Sequence, residues 1–221
     1  MGALSWLLDL LYPPKCVICS RLLVPGQRDI CPDCFESLPN FEGPAPEVPF
    51  ADRVCVSFFY EASLRDSFLR FKFSGRDFYA APYGRWMAGR VRDELGTDFD
   101  FISWVPVSRG RRRKRGYDQA ELLAGVLSEQ LALAKTSALQ KHAERGPQSH
   151  LHDAAERKAN ASGAFSLAPG ADVSGKRILL VDDIVTTGAT LSECCRVLKS
   201  AGAAYVACAC FASPRGQSDE R

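Results

Sequence analysis

Ile178-Leu179-Leu180-Val181-Asp182-Asp183-Ile184-Val185-Thr186-Thr187-Gly188-Ala189-Thr190 is the stretch that decides the fold. Four consecutive apolar residues predict a buried strand, and two carboxylates stand at its C-terminal end. Open parallel sheets bind their ligands at that end. Residues 190–201 read as a helix closed by Gly202, so the threonine-rich turn opens directly into a helix N-terminus. Backbone amides at a helix start favour an anion. Gly188 allows close approach of the backbone, and Thr186, Thr187 and Thr190 add hydroxyl donors. Carboxylates beside a phosphate cradle make sense once a sugar is placed there. Asp182 and Asp183 then accept hydrogen bonds from two vicinal hydroxyls while the phosphate sits in the 186–190 turn.

The flanking sequence supplies the rest of an α/β sheet. Residues 54–60, 99–105 and 205–211 read as strands, with Pro106 ending the second. Residues 78–95 read as a helix with Pro82 near its start. Residues 117–133 read as an amphipathic helix with Leu123, Val126, Leu127 and Leu131 at helical spacing. This alternation predicts a parallel α/β sheet. Residues 138–165 are polar, hold His142, His150 and His152, and read as mostly loop. The part from about 141 to 160 is a candidate lid, although nothing in the sequence positions its histidines.

The first fifty residues are a different kind of sequence. Cys16 and Cys19, then Cys31 and Cys34, form two C-x-x-C pairs whose four thiolates complete the closed tetrahedral shell of structural zinc. Such a site leaves no position for water and does no chemistry. The other five of the nine cysteines read as buried free thiols: Cys208 and Cys210 alternate on one strand face, and adjacent Cys194 and Cys195 diverge on a helix. Eight of thirteen prolines precede residue 50, which suggests a stiff linker. The division is therefore a zinc-ribbon-like module with its linker over 1–50 and an α/β domain over 51–221.

At 221 residues, 46% hydrophobic and 24% charged, the chain has material for one domain core plus a small module. A membrane span is not expected, since the apolar runs are far shorter than the roughly 20 residues required. Residues 3–11 lack a preceding basic residue and contain Asp9, which speaks against a signal peptide and for a cytoplasmic location. The net charge of +2 is uninformative, but its distribution is not. Six of the seven residues 109–115 are cations, following Pro106-Val107-Ser108. That run reads as a solvated basic loop, or as a holder of pyrophosphate or nucleic-acid backbone. Only Tyr117 is an aromatic neighbour in sequence, which weighs against base stacking there.

Residues 178–190 resemble the phosphoribosyl pyrophosphate (PRPP) signature of type I phosphoribosyltransferases. Further motifs resemble the ComF family: the four-cysteine module, Pro106-Val107, Arg115-Gly116-Tyr117-Asp118-Gln119, Pro147-Gln148, Arg157-Lys158-Ala159-Asn160, and Lys72 within Arg70-Phe71-Lys72-Phe73. Two positions depart from the family pattern. Asp118 stands where asparagine is usual, placing a negative charge beside the expected pyrophosphate site, and Ser108-Arg109 replaces a second proline and its neighbour. The resemblance implies a type I phosphoribosyltransferase fold that binds PRPP with Mg²⁺. It assigns Asp182 and Asp183 to the ribose and the reaction, and Thr186, Thr187, Gly188, Ala189 and Thr190 to the phosphate. Arg109, Arg115 and Lys72 fall to the pyrophosphate. The implied activity is phosphoribosyl transfer to an unidentified nitrogen acceptor. The alternative is a non-catalytic competence or regulatory protein handling single-stranded DNA, with a protein partner at the zinc module. Glutamine-dependent amide transfer is not expected, because residue 2 is glycine and the first fifty residues form the zinc module.

Overall fold

Residue alternation in the decisive strand sets the architecture. In the computed structural model, which describes residues 13–142 and 163–215, the strand β6 (Arg177–Ile184) sits between two others. Its even residues Ile178 and Leu180 face one apolar cluster, and its odd residues Leu179 and Val181 face another. A strand apolar on both faces needs cover on both, which is the condition for a parallel sheet. The sheet holds β1 (Arg53–Phe59), β7 (Tyr205–Ser213), β6, β2 (Phe101–Trp104) and β3 (Ala134–Lys135) in that spatial order, every pairing parallel.

One face carries α2 (Ala62–Phe73), α3 (Ala80–Glu94) and α5 (Gln119–Leu131). Phe68 stacks on Phe211 at 4.8 Å, and Tyr83 lies 4.5 Å from the same ring, so the centre of this layer is aromatic. Gly84 is required there, since a Cβ on it would stand 2.4 Å from Val126 Cβ. The other face carries α6 (Ala189–Ser200), whose Cys194 and Cys195 are buried against Cys208 and Cys210 as the sequence predicts. A short antiparallel ladder, β4 (Leu139–Lys141) with β5 (Phe165–Leu167), packs on this side.

The N-terminal module, with its single turn of helix α1 (Pro32–Glu36), shares the first core: Cys16, Val17, Ile18 and Cys31 are buried in the cluster of Phe68 and Phe71. The proline-rich stretch begins along the outer edge of β1, where Phe41 N donates to Ser57 O at 3.1 Å and Phe59 N to Pro39 O at 2.7 Å. It thereby covers an otherwise unpaired strand edge.

Several elements differ from expectation. The basic run is a helix, α4 (Arg109–Arg115), with Ser108 as N-cap and left-handed Gly116 at φ 85° as C-cap. Arginine and lysine are good helix formers, and capping residues at both ends complete the segment. Helix α2 has its signal in Leu64, Phe68 and Phe71 at positions i, i+4 and i+7, all fully buried. Part of the stretch expected as loop forms β4 and β5. Finally, β6 extends through both carboxylates instead of ending before them.

Candidate functional site

Because β6 runs on to Ile184, Asp182 and Asp183 leave opposite faces of the sheet edge. Asp182 turns toward α6, where it and residues 184–191 surround a small cavity of about 50 Å³. Gly188, at φ 70°, forms the helix N-cap and supplies no side chain, so the first-turn amides of α6 have no side-chain N-cap. Thr186, Thr187 and Thr190 are exposed around this opening. The glycine is also required by packing. A Cβ at residue 188 would stand 3.0 Å from Glu47 O and 3.1 Å from Val48 Cγ2, so the proline-rich stretch buttresses the turn from behind.

Asp183 faces α2. Its Oδ2 pairs with Lys72 Nζ at 2.7 Å, with both side chains largely buried, and Lys72 rests 5.2 Å above the Phe68 ring. Backbone amides hold the two carboxylates in place: Asp182 Oδ1 accepts from Asp183 N at 2.8 Å, and Asp183 Oδ1 from Ile184 N at 2.6 Å. Burial pushes the Asp182 carboxyl well above the usual carboxylate range, and the adjacent Asp183 charge adds to the shift. A carboxyl so placed is ready to accept a partner that relieves its desolvation.

The two departures from the family pattern both prove to be helix caps. Ser108 Oγ accepts from Arg111 N at 3.4 Å. Asp118, 3% exposed, accepts from Val107 N at 2.9 Å through Oδ2 and from Glu121 N at 3.3 Å through Oδ1. The charge expected beside the pyrophosphate is thus engaged by backbone amides that pin the start of α5 to the end of β2. Burial raises its pKa despite those two bonds.

Of the cations assigned to pyrophosphate, Lys72 reaches the Asp183 carboxylate. Arg109 is exposed on the first turn of α4, while Arg115 donates to Gln119 Oε1 at 3.1 Å and stacks its guanidinium 5.0 Å from the Phe73 ring. Phe73 is 65% exposed and Phe78 is 63% exposed. The aromatic partners that the sequence did not show beside the basic run therefore arrive from α2 and the turn after it. Arg112 pairs with Glu121 at 3.1 Å. His142 is exposed; His150 and His152, the rest of the candidate lid to residue 160, and the Pro147-Gln148 and Arg157–Asn160 motifs lie outside the described residues.

The four module thiols form one cluster, all Sγ atoms within 4.8 Å of one another and Cys19 to Cys31 at 3.8 Å. Tetrahedral zinc with Zn–S bonds of about 2.3 Å requires S···S edges of about 3.8 Å, so the thiols are spaced for that ion. Against the penalty of burial, hydrogen bonds with the backbone of Cys19, Cys31 and Ile18 bring the Cys16 thiol down to about 7, which favours the thiolate that metal binding needs.

Comparison with known proteins finds two domain types in the chain. A double zinc ribbon domain matches residues 7–47, and a phosphoribosyl transferase domain matches residues 115–221. Competence protein F of Haemophilus influenzae is 26% identical over 210 residues, covering 85% of this chain and 92% of the relative. Competence protein ComFC of Streptococcus pneumoniae is 28% identical over 177 residues, covering 78% and 76%. DNA utilization protein YhgH of Escherichia coli K12 is 30% identical over 206 residues, covering 89% and 88%. With a zinc ribbon joined to a phosphoribosyltransferase-type domain and relatives matched over 76–92% of their length, the chain belongs to the ComF family.

Proposed function

We propose that the protein binds PRPP at the end of β6 and transfers its phosphoribosyl group to a nitrogen nucleophile. The observation that carries this reading is the cavity joining Asp182 to the glycine-led start of α6, with Lys72 and Asp183 on the opposite face of the same strand end. The 5-phosphate is held by the amides and hydroxyls of residues 186–190. A ribose lying across the strand end reaches both carboxylates, and Lys72 exchanges Asp183 for the pyrophosphate oxygens. The C1–O bond breaks with its electron pair leaving on pyrophosphate, and the acceptor nitrogen forms the new bond and gives up a proton. Here the residues act by position and charge, since the sugar centre is oxocarbenium-like in the transition state. Carboxylate and hydroxyl oxygens are the hard donors that suit Mg²⁺, which would neutralise charge on the departing pyrophosphate. Reduced thiols buried throughout the α/β domain fit a cytoplasmic setting.

Melting curves with and without PRPP and Mg²⁺ test the binding. A ligand at a hundredfold excess over its Kd adds about 2.7 kcal/mol, a rise of roughly 5–10 °C for a chain of this size. Pyrophosphate release across a panel of bases and amines tests the transfer. No shift refutes the site, whereas a shift without turnover on any acceptor leaves a PRPP-binding protein that is not a transferase.

A second reading has its own observation. Exposed Phe73 beneath Arg115, and exposed Phe78 near Arg76 (5.7 Å above Tyr79), combine rings with cations, as single-stranded nucleic-acid platforms do. The relatives' names include DNA utilization and competence, which supports DNA as a ligand of this surface. Leu22, Val24 and Phe35 are exposed on the zinc module and are where a protein partner would dock.

A further inference from the structure

Two side chains of helix α2, Ser67 and Arg70, reach across to the zinc module. Ser67 Oγ, fully buried, donates to Val17 O and shares a hydrogen bond with Tyr83. Arg70 places one guanidinium nitrogen against both Val17 O, at 3.0 Å, and Ile18 O. These two carbonyls belong to the turn between Cys16 and Cys19. Two residues after Arg70 comes Lys72, whose ammonium meets Asp183. At about 100° per residue, Lys72 points roughly opposite to Arg70 on the helix. The helix is therefore a splint, with the metal-binding turn on one side and the carboxylate of β6 on the other. A further bond, from Tyr117 OH to Phe71 O, fixes its C-terminal end against the segment leading into α5.

The turn between two thiolates keeps its shape only while both hold the same ion, because site formation and folding are one event in such modules. A cation on two buried carbonyls makes charge-assisted bonds, the stronger class. Arg70 Nε has no partner, so the side chain's hold on the described protein is through these carbonyls.

We propose that Arg70, through its grip on the Cys16–Cys19 turn, is a positioning residue that holds Lys72 over Asp183, making the zinc-bound turn a working part of the phosphoribosyl site. The proposal rests on the reading of Lys72 and Asp183 as ligand contacts. It assigns the ribbon a task inside the domain, separate from any partner it recruits.

The test is a double-mutant cycle on the zinc-loaded full chain, read as PRPP affinity by calorimetry with Mg²⁺ present. Arg70→Ala should retain one zinc and bind PRPP about tenfold more weakly. Lys72→Met should also weaken binding, and adding Arg70→Ala to it should cost nothing more. Arg70→Lys, which keeps the charge and a donor nitrogen able to serve both carbonyls, should recover most of the affinity. In equilibrium competition with a zinc-selective chelator, saturating PRPP and Mg²⁺ should tighten zinc in the wild type by the reciprocal factor, and not in Arg70→Ala. Equal losses in both backgrounds, or none in either, overturn the proposal. If Arg70→Ala does not fold, Arg70→Met, which keeps the apolar stem and removes the donors, decides it in the same two backgrounds by the same criterion. If the wild type does not bind PRPP, the site reading falls and takes this inference with it. Binding with additive losses removes the inference alone.

Discussion

The end of β6 and the helix α4 are both candidate anion sites, yet they are built in opposite ways. The first uses backbone amides at a helix start, a glycine with no room for a side chain, and carboxylates fixed by their own neighbours' amides. It is small, about 50 Å³, and braced from behind by Glu47 and Val48. The second uses side chains on an exposed two-turn helix, with Arg112 and Arg115 engaged by Glu121 and Gln119. A backbone site is selective because its geometry is set before the ligand arrives. A side-chain site is adaptable, and its affinity falls with salt. The contrast suggests a fixed small ligand at β6 and an extended polyanion at α4.

The largest effect should come from breaking the backbone site. Gly188→Val forces a β-branched residue into φ 70° and against Glu47 O and Val48. The PRPP-dependent melting shift should vanish, corresponding to at least a hundredfold loss, and the ligand-free melting point should fall by several degrees. Any single-stranded DNA binding should stay unchanged. A valine variant that still shows the full shift would remove the phosphate from this turn.

The side-chain site is tested by salt. Changing Arg111, Arg112 and Arg113 together to Ala should flatten the slope of log affinity for single-stranded DNA against log salt by about 2, from about 0.7 per phosphate. PRPP affinity should be preserved, because these side chains are exposed on α4 and the β6 carboxylate Asp183 is met by Lys72 from another helix. An unaltered slope would place any DNA site elsewhere, and a large loss of PRPP affinity would merge the two regions into one.

The contrast also explains how much of the molecule was legible in sequence. Residues 178–190 announce their own structure because a buried strand, a glycine turn and a helix start are local properties. The same holds for the C-x-x-C pairs, whose ligand spacing is built into each turn. What escaped was whatever depended on distant residues meeting. Phe73 beneath Arg115 is a contact across 42 positions, and nothing near the basic run foreshadows it. Two local elements were missed as well: the helix of that run, whose signal was its Ser108 and Gly116 caps, and α2, whose signal was its Leu64, Phe68 and Phe71 spacing. The opposite facing of Asp182 and Asp183 depended on where β6 stops, and its pairing with β7 through Ala212 sets that end.

A smaller effect, of unusual sign, is expected at Asp182. Its folded pKa is raised, so its contribution favours the folded state below the unfolded carboxyl's range of about 4 and turns against it as pH rises through the raised value. At neutral pH Asp182 is thus a cost to the ligand-free protein. Asp182→Asn should therefore raise the ligand-free melting point at pH 7, by about 2–4 °C for each kcal/mol relieved, and abolish the PRPP-dependent shift. A lower melting point with the ligand shift intact would mean that Asp182 is held for the fold and not for the sugar.

The smallest effect is expected at Asp118, where the family usually has asparagine. Asn is as good an N-cap as Asp, so Asp118→Asn keeps one of the two amide bonds and gives up the other, a cost of about 1 kcal/mol. Removing a carboxyl whose charged form burial disfavours offsets that loss, and the two proteins should melt within a few degrees of each other. The difference should depend on pH. Burial raises the wild-type carboxyl, so wild-type stability declines as pH rises from the ordinary carboxylate range through the raised value, while the asparagine variant has no such proton to lose. The variant should thus gain on the wild type from acid toward neutral pH and then hold a constant margin. PRPP affinity should change by less than about threefold, since both Asp118 oxygens are turned to the amides of Val107 and Glu121. A tenfold gain in affinity would show that its charge does reach the pyrophosphate, and would bring the end of β2 into the same anion site as the end of β6.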